Sequence, residues 1–410
     1  MSQIIPSSNI APVAGSKYDG NTIVESGYKV DPSRGGHDGR LSRQWSSRPK
    51  DERFLSLADL FAQVRRAADE SHNTIIDTTA IEVVADPSGQ DTDGLGVSIK
   101  DSEPLGLTNW TFNQLSGLVK APAGYLKNLP AQLAADCLNY GIVDRTVEQV
   151  AAYVRSNGER TLRAITGPEY GRVLDADMVE GFSEMVSRSS IPWKVPGVLD
   201  WRTNVYDPYA PVTLDSTTLY ASDRDMFVFL VDDTRPIQVG TLKDGSPDLV
   251  FRGVYGWNSE VGSKSLGLAG CLLRAVCMNR NLWGVEGLSN ITIYHSKNAA
   301  RRFISEAKPL LDSFALGSDA KVVEGVEKAK AAKVADDDER RQEFFSKRLG
   351  FSKSQALKLM ARHVEEEGRP VESVWDAAQA ITAAARDVSH QNERFDLERI
   401  AGKLLAKAAK

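Results

Sequence analysis

Histidine and cysteine are scarce in this chain, five and three residues in 410, and their scarcity excludes several kinds of chemistry. His37, His72, His295, His363 and His390 lie far apart, and none meets a second ligand at metal-binding spacing. His37, His363 and His390 read as surface residues, and His295 as a hydrogen-bonding residue at a strand end. Cys137, Cys271 and Cys277 are too few for a disulfide framework and suit a reducing compartment. Any run of about 18 apolar residues is also missing, so no membrane-spanning helix is expected. The opening MSQIIPSSNIAPVAG has neither the basic start nor the long apolar stretch of a secretory signal. A cytoplasmic location follows as the default expectation. There is no P-loop, no Gly-x-Gly-x-x-Gly after a strand and no Gly-x-Ser-x-Gly. Asp232-Asp233 are adjacent, so on a strand they face opposite sides; a turn is expected there, with Pro236 close behind. The expectation is a protein without catalytic residues, metal or cofactor.

What is present describes a globular α+β protein. Residues 1–50 are rich in Gly, Ser, Pro, Asn and Asp without sustained periodicity, and read as a flexible arm. An α+β core is expected over 51–317, with a mixed or antiparallel sheet and packed helices. Its first helix covers Phe54–Glu70, where Leu55, Leu57, Leu60, Phe61 and Val64 recur at helical spacing. NTIIDTTAIEVVAD (73–86) reads as a strand, with Gly94–Lys100 as its hairpin partner. Thr108 can cap a helix carrying Trp110, Phe112, Leu115 and Leu118, and Pro122 and Pro130 start two more. Thr161–Ile165 reads as a strand and Asp175–Ser187 as a helix. Further strands are expected at Arg202–Asp207, Thr218–Ala221, Met226–Asp232 and Leu249–Trp257. GLAGCLLRAVC reads equally as strand or helix, and Ala299–Leu311 as a helix. Residues 318–410 are rich in Ala, Lys and Glu and read as a helical C-terminal region, with Lys321–Arg348 a long solvated helix.

The net charge of -5 argues against a wholly basic protein, but a local basic surface would suffice for nucleic acid. Residues 249–302 carry seven basic side chains against two acidic ones. Arginine dominates, and its planar fork suits phosphate. Phe251, Tyr255, Trp257, Trp283 and Tyr294 are interleaved. Charge that tracks a backbone beside rings that stack on bases is how many proteins hold single strands. The candidate nucleic-acid contacts are Arg252, Tyr255, Trp257, Lys264, Arg274, Arg280, Arg301 and Arg302. Asn258, Ser259, Glu260 and Gly262 are expected to build a structural turn, with Arg274 anchoring Glu260 from inside. An enzyme site combining Glu260, Arg274, Asn279 and His295 is a weaker reading, because no nucleophile–base pair supports it.

The stretch GVYGWNSEVGSKSLGLAGCLLRAVCMNRNLWG resembles the hallmark of a phage- and plasmid-encoded family, the domain of unknown function 932. The matching positions are Asn258, Ser259, Glu260, Gly262, Arg274, Cys277 and Asn279, with Lys264 where a small residue is usual. LTNWTFNQLSGLVKAPAGYLKNLP, LRAITGPEYGRVLDADMV, VWDAAQAITAAARD and FDLERIAGKLL are similar to other segments of that family. The resemblance implies a mobile-element context. The function expected is DNA binding in recombination or replication, including ATP-independent single-strand annealing. The expected partners are single-stranded DNA, further copies of the chain and a protein at the C-terminal helices. The alternative is a non-catalytic interaction or scaffold factor for host takeover or anti-defence.

Overall fold

The computed structural model describes residues 50–408 apart from 86–93, 128, 145–147, 157–159, 189–190, 197, 201–204, 208–210, 215–216, 243–244, 275–279, 282–290, 294, 296–298, parts of 300–316 and 387–390. The expected N-terminal arm therefore lies outside the described residues, as do Cys277, Asn279, Arg301, His37 and His390.

A short strand β1 (Arg53–Phe54) leads into α1 (Leu57–Asp69), which begins where the Ser56 hydroxyl accepts from the Asp59 N–H. The β-branched stretch expected to form one strand is divided by a 3-10 turn at Thr78–Ala80. Its first half, β2 (Ser71–Asp77), pairs far along the chain; its second half, β3 (Ile81–Ala85), forms the hairpin with β4 (Leu95–Ile99). β5 (Leu105–Leu107) and three helices follow: α2 (Asn109–Leu118, capped by Thr108), α3 (Ala123–Leu126) and α4 (Ala131–Val143). β6 (Gln149–Ser156) and β7 (Arg160–Thr166) complete a six-stranded sheet of order β2-β6-β7-β5-β4-β3. All its pairs are antiparallel except β5 with β7. Helices α2 and α4 bury Phe112, Leu115 and Leu138 against Leu95, Val97 and Leu162 of this sheet. Asn139 of α4 meets the outer edge of β3, accepting from Val83 N–H and donating to Val83 C=O, both at 2.8 Å. The side-chain amide thus occupies edge groups that another strand would otherwise pair with.

Helix α5 (Asp175–Arg188) precedes the second sheet. A small ribbon, β8 (Val198–Asp200) with β9 (Val205–Asp207), stands apart. β10 (Leu219–Ala221), β11 (Met226–Thr241), β12 (Pro247–Asn258), β13 (Leu266–Arg274) and β14 (Arg280–Asn281) continue from β1 in the order β1-β10-β11-β12-β13-β14. β15 (Ile291–Ile293) also pairs with β13. Alternation distributes the side chains between two buried faces. Met226, Val228, Leu230, Val254 and Leu268 pack under α1 and α5. Phe227, Phe229, Phe251, Tyr255, Trp257 and Cys271 make the opposite, aromatic face. Burial on both sides explains why GLAGCLLR lacks a polar–apolar alternation although it is a strand. Asp232-Asp233 lie within β11 rather than in a turn, where the register shifts between Asp232 and Ile237.

The C-terminal region is helical, as expected: α6 (Asp319–Ala331), α7 (Asp338–Glu343, continued by a π turn Phe344–Arg348), α8 (Lys353–Glu367), α9 (Val374–Arg386) and α10 (Gln391–Ala408). Lys321–Arg348 is not one solvated helix but two, because Val322, Val326, Phe344 and Phe345 are buried. These helices share a core with Ile237, Val239, Val250 and Leu272 of the second sheet. His363 is buried within α8 rather than exposed, 3.9 Å from Asp376, and burial lowers its pKa. The chain is α+β, and among the described residues no helix is long and apolar enough to cross a membrane.

Gly267 opposes Trp257 across β12 and β13, and a Cβ there would stand 1.9 Å from the indole ring. Gly267→Ala must move that ring out of a filled layer. We expect a loss of about 1–3 kcal/mol, read as a lower urea midpoint with unchanged slope.

Candidate functional site: a carboxylate between two sheets

Strand β12 ends at Asn258, and the chain turns through Ser259, Glu260, Val261 and Gly262 before β13. Gly262 takes φ +82°, a left-handed conformation that costs glycine little. The turn pushes Glu260 into the space between the sheets, where it is 2% exposed. Its Oε2 accepts from Arg163 Nη1 of β7 at 2.7 Å and from the Tyr153 hydroxyl of β6 at 3.1 Å. Its Oε1 accepts from the Asp175 backbone N–H at 2.9 Å, at the start of α5. That position favours an anion, because the first N–H groups of a helix have no partner within it.

The neighbours of Glu260 are held as tightly. Asn258 Nδ2 donates to the Val173 carbonyl at 2.9 Å and to Asp175 Oδ1 at 2.7 Å. The Ser259 hydroxyl donates to the Arg224 carbonyl at 2.7 Å and accepts from the Ser263 N–H at 3.0 Å. Trp110 Nε1 and Gln114 Nε2 both donate to the Val261 carbonyl, at 2.8 and 2.9 Å. The expectation that Asn258, Ser259, Glu260 and Gly262 form a structural turn agrees with these contacts. The expected anchor does not: Arg163 holds Glu260, whereas Arg274 pairs with Asp248 at 2.8 Å and with Glu367 of α8 at 2.6 Å.

Burial and proximity shift the titrations. Asp175 is fully enclosed; desolvation first and Glu260 second push its carboxyl well above the usual carboxylate range. The Tyr153 hydroxyl is pushed up to about 12, by burial and then by Glu260. Burial pulls Arg163 down, but Glu260 and Asp223 outweigh it and the net shift is upward. Burial lowers both Arg172 and His295.

Five partly exposed side chains surround the turn. Arg172 donates to the Glu260 carbonyl and stacks 4.0 Å over the Tyr153 ring and 5.2 Å from that of Tyr170. The Tyr170 hydroxyl donates to the Ser259 carbonyl at 3.2 Å, and its ring stacks on His295 with centroids 4.9 Å apart. His295 follows β15 and contacts the Gly171 carbonyl at 3.3 Å, as a strand-end residue should. Arg224 lies 5.2 Å over the Trp110 ring. Arg172 is held differently from Arg163. Its hydrogen bonds go to the Glu260 carbonyl, the Asn73 amide oxygen and the Thr166 hydroxyl, and no described carboxylate is ion-paired with it.

The residues expected to touch nucleic acid are placed elsewhere. Tyr255 and Trp257 share the aromatic face of the second sheet and are buried in it. Arg252 is buried and pairs with Asp319 at 2.6 Å. Lys264 is buried, pairs with Asp225 at 2.9 Å and stacks over Phe227. Arg274 is buried in the ion pairs described above. These five side chains form no open basic surface; a buried guanidinium or ammonium demands a counter-ion, and each of the three cations has one, at the surface for Arg252 and buried for Lys264 and Arg274. Arg302 is exposed and pairs with Glu306 at 2.8 Å. Arg280 pairs with Leu273 through its backbone, and Arg301 lies outside the described residues. Missed by the sequence reading were Tyr153, Arg163, Arg172 and Asp175. The last three lie in LRAITGPEYGRVLDADMV, whose likeness to the family was noted without a role for its residues.

No family model, curated protein or solved structure matches this chain. Among the described residues, no cluster of His, Cys, Asp or Glu could hold a metal ion.

Glu260→Gln keeps the shape and removes the charge, leaving buried Arg163 with only the more distant Asp223, 4.0 Å away. We expect a loss of about 3–5 kcal/mol in chemical denaturation. Asp175→Asn tests the raised titration of the neighbouring carboxyl. Its folded pKa is raised, so the native state holds the proton more tightly than the unfolded chain. Its stabilising contribution is complete below the unfolded value of 3.8 and is lost as pH rises towards the folded pKa. The stability of the wild type relative to Asp175→Asn should therefore fall across that window; a constant difference would show that Asp175 ionises normally.

Proposed function

We propose that this chain is a DNA-binding protein that catalyses no reaction, and that it holds single-stranded DNA at the rim of the Asn258–Gly262 turn. The supporting observation is Arg172. Its guanidinium is half-buried between two tyrosine rings, and its hydrogen bonds go to uncharged oxygens, with the Glu260 carboxylate acting on it only through space. A phosphate oxygen would give this group a charged hydrogen-bond partner. Arg224, Trp110, Tyr170 and His295 border the same turn, so cations and ring faces alternate around it. That combination suits a strand whose phosphates meet arginine while its bases stack. The site thus differs from the one expected on the second sheet, although the chemistry is the same. The resemblance to a phage and plasmid family supports a role in recombination or replication of mobile DNA, with annealing as an activity that needs no nucleotide hydrolysis. A cytoplasmic location is part of this proposal.

The internal pairing of Arg252, Lys264 and Arg274 favours the second reading, a non-catalytic interaction or scaffold factor. Fluorescence anisotropy of a labelled oligonucleotide across a salt series separates the two. Arg172→Gln combined with Arg224→Gln should flatten the dependence of log affinity on log salt by about 1.4, two single-strand phosphate contacts at roughly 0.7 each. An unchanged slope with unchanged affinity moves the site elsewhere. No binding to single strands or duplex at low salt leaves the scaffold reading.

A further inference from the structure

We propose that copies of this chain assemble head to tail, the outer face of α4 in one copy receiving the outer face of α8 in the next. Eight large apolar side chains are exposed among the described residues, and five of them lie on these two helices. On α4, Ala131, Ala134, Ala135, Leu138 and Ile142 face the core. The helical period then directs Leu133, Asp136, Tyr140 and Val143 outward in one stripe. Tyr140 and Val143 are 75% and 81% exposed, values seldom seen for such residues in a helix without a partner. On α8, Ala356, Leu359 and His363 face inward, which directs Leu357, Ala361 and Val364 outward at i, i+4 and i+7. These are the spacings with which one helix offers a seam to another.

Charge identifies the occupant. Among the described residues, the outer face of α4 carries Asp136, with Asp144 at its C-terminal end, and no cation. A second α4 laid on it would oppose carboxylates. The stripe on α8 is flanked by exposed Lys353 and Lys358. Apolar side chains can therefore meet across the seam while lysines of one copy face carboxylates of the other. Glu365 lies on the same side of α8, so α8 tolerates an antiparallel copy of itself electrostatically, whereas α4 does not. The acidic face thus requires the α4–α8 pairing. One face of each kind per chain makes a heterologous contact, which propagates into a ring or a filament rather than stopping at two. This proposal does not depend on nucleic-acid binding.

Sedimentation velocity over a concentration series tests it, with two surface variants whose fold is checked by circular dichroism. The first is Tyr140→Glu with Val143→Glu; the second is Lys353→Glu with Lys358→Glu. Wild type should grow beyond a dimer as concentration rises. Each variant alone should associate at least about tenfold more weakly and stay monomeric over the same range, the first because its apolar contact is replaced by carboxylates that must be desolvated, the second because like charges are brought together. Mixed in equal amounts, the two variants should form a dimer and grow no further, because each keeps the face the other lacks. A monomeric wild type in the high-micromolar range would overturn the proposal. So would persistent dimers of the α4 variant, which would show α8 pairing with itself, or a mixture that remains monomeric.

Discussion

One buried negative charge holds the two sheets in register. Glu260 belongs to the second sheet, yet its carboxylate is satisfied by Arg163 and Tyr153 of the first and by the leading N–H of α5. A carboxylate enclosed to this degree is costly unless charge and hydrogen bonds both compensate it. Both do here, so the contact tolerates little displacement. A hydrophobic seam of the same area could slide by a residue; a seam that must return one carboxylate to one guanidinium cannot. The flanking Asn258, Ser259 and Val261 extend this restraint, because each binds a group from a different segment: Asp175, Arg224 and Trp110. The short apolar contact of Tyr153, Ala164, Val261 and Trp110 fills the space beside the charge.

Much of the local excess of basic residues in 249–302 is a property of the sequence that folding neutralises: Arg252, Lys264 and Arg274 are paired in the structure. Asp319 meets Arg252, Asp225 meets Lys264, and Asp248 with Glu367 meets Arg274. All four of these acids lie outside the window in which the charges were counted. A window count measures charge before pairing, and pairing in a β-sheet protein is mostly non-local. The burial of Tyr255 and Trp257 has the same origin. Period-two alternation gives both faces of β12 an apolar covering, so an aromatic stripe there is a core stripe.

Local chemistry was legible where the chain decides its own conformation. Thr108 capping α2, the proline-led starts of α3 and α4, and the tight turn at Asn258–Gly262 all follow from residues within a few positions of one another. The class of fold was legible for the same reason, since strand-forming and helix-forming stretches separate along the chain. Strand pairing was legible only for the hairpin of β3 with β4: nothing within 73–86 says that its first half separates and joins β6. The partners of Glu260 were equally hidden. Arg163, Asp175 and Tyr153 stand between 85 and 107 residues away from it, and only folding makes them neighbours.

The two outward helical faces belong to different cores, and this gives the buried charge a consequence at larger scale. Helix α4 is fixed to the first sheet through Leu138 and the Asn139 bonds to β3. Helix α8 is fixed to the far end of the second sheet through Leu359 and through the Arg274–Glu367 pair. The angle between the faces is therefore the angle between the sheets, which the Glu260 cluster sets. In a head-to-tail assembly that single angle, repeated at every contact, decides between a closed ring and an open filament. Loosening Glu260 would broaden the angle without touching either face, giving assemblies of mixed size whose individual contacts keep their strength. In the proposed assembly curvature and contact affinity would thus be separate properties, the first held at a buried turn and the second on two exposed helices.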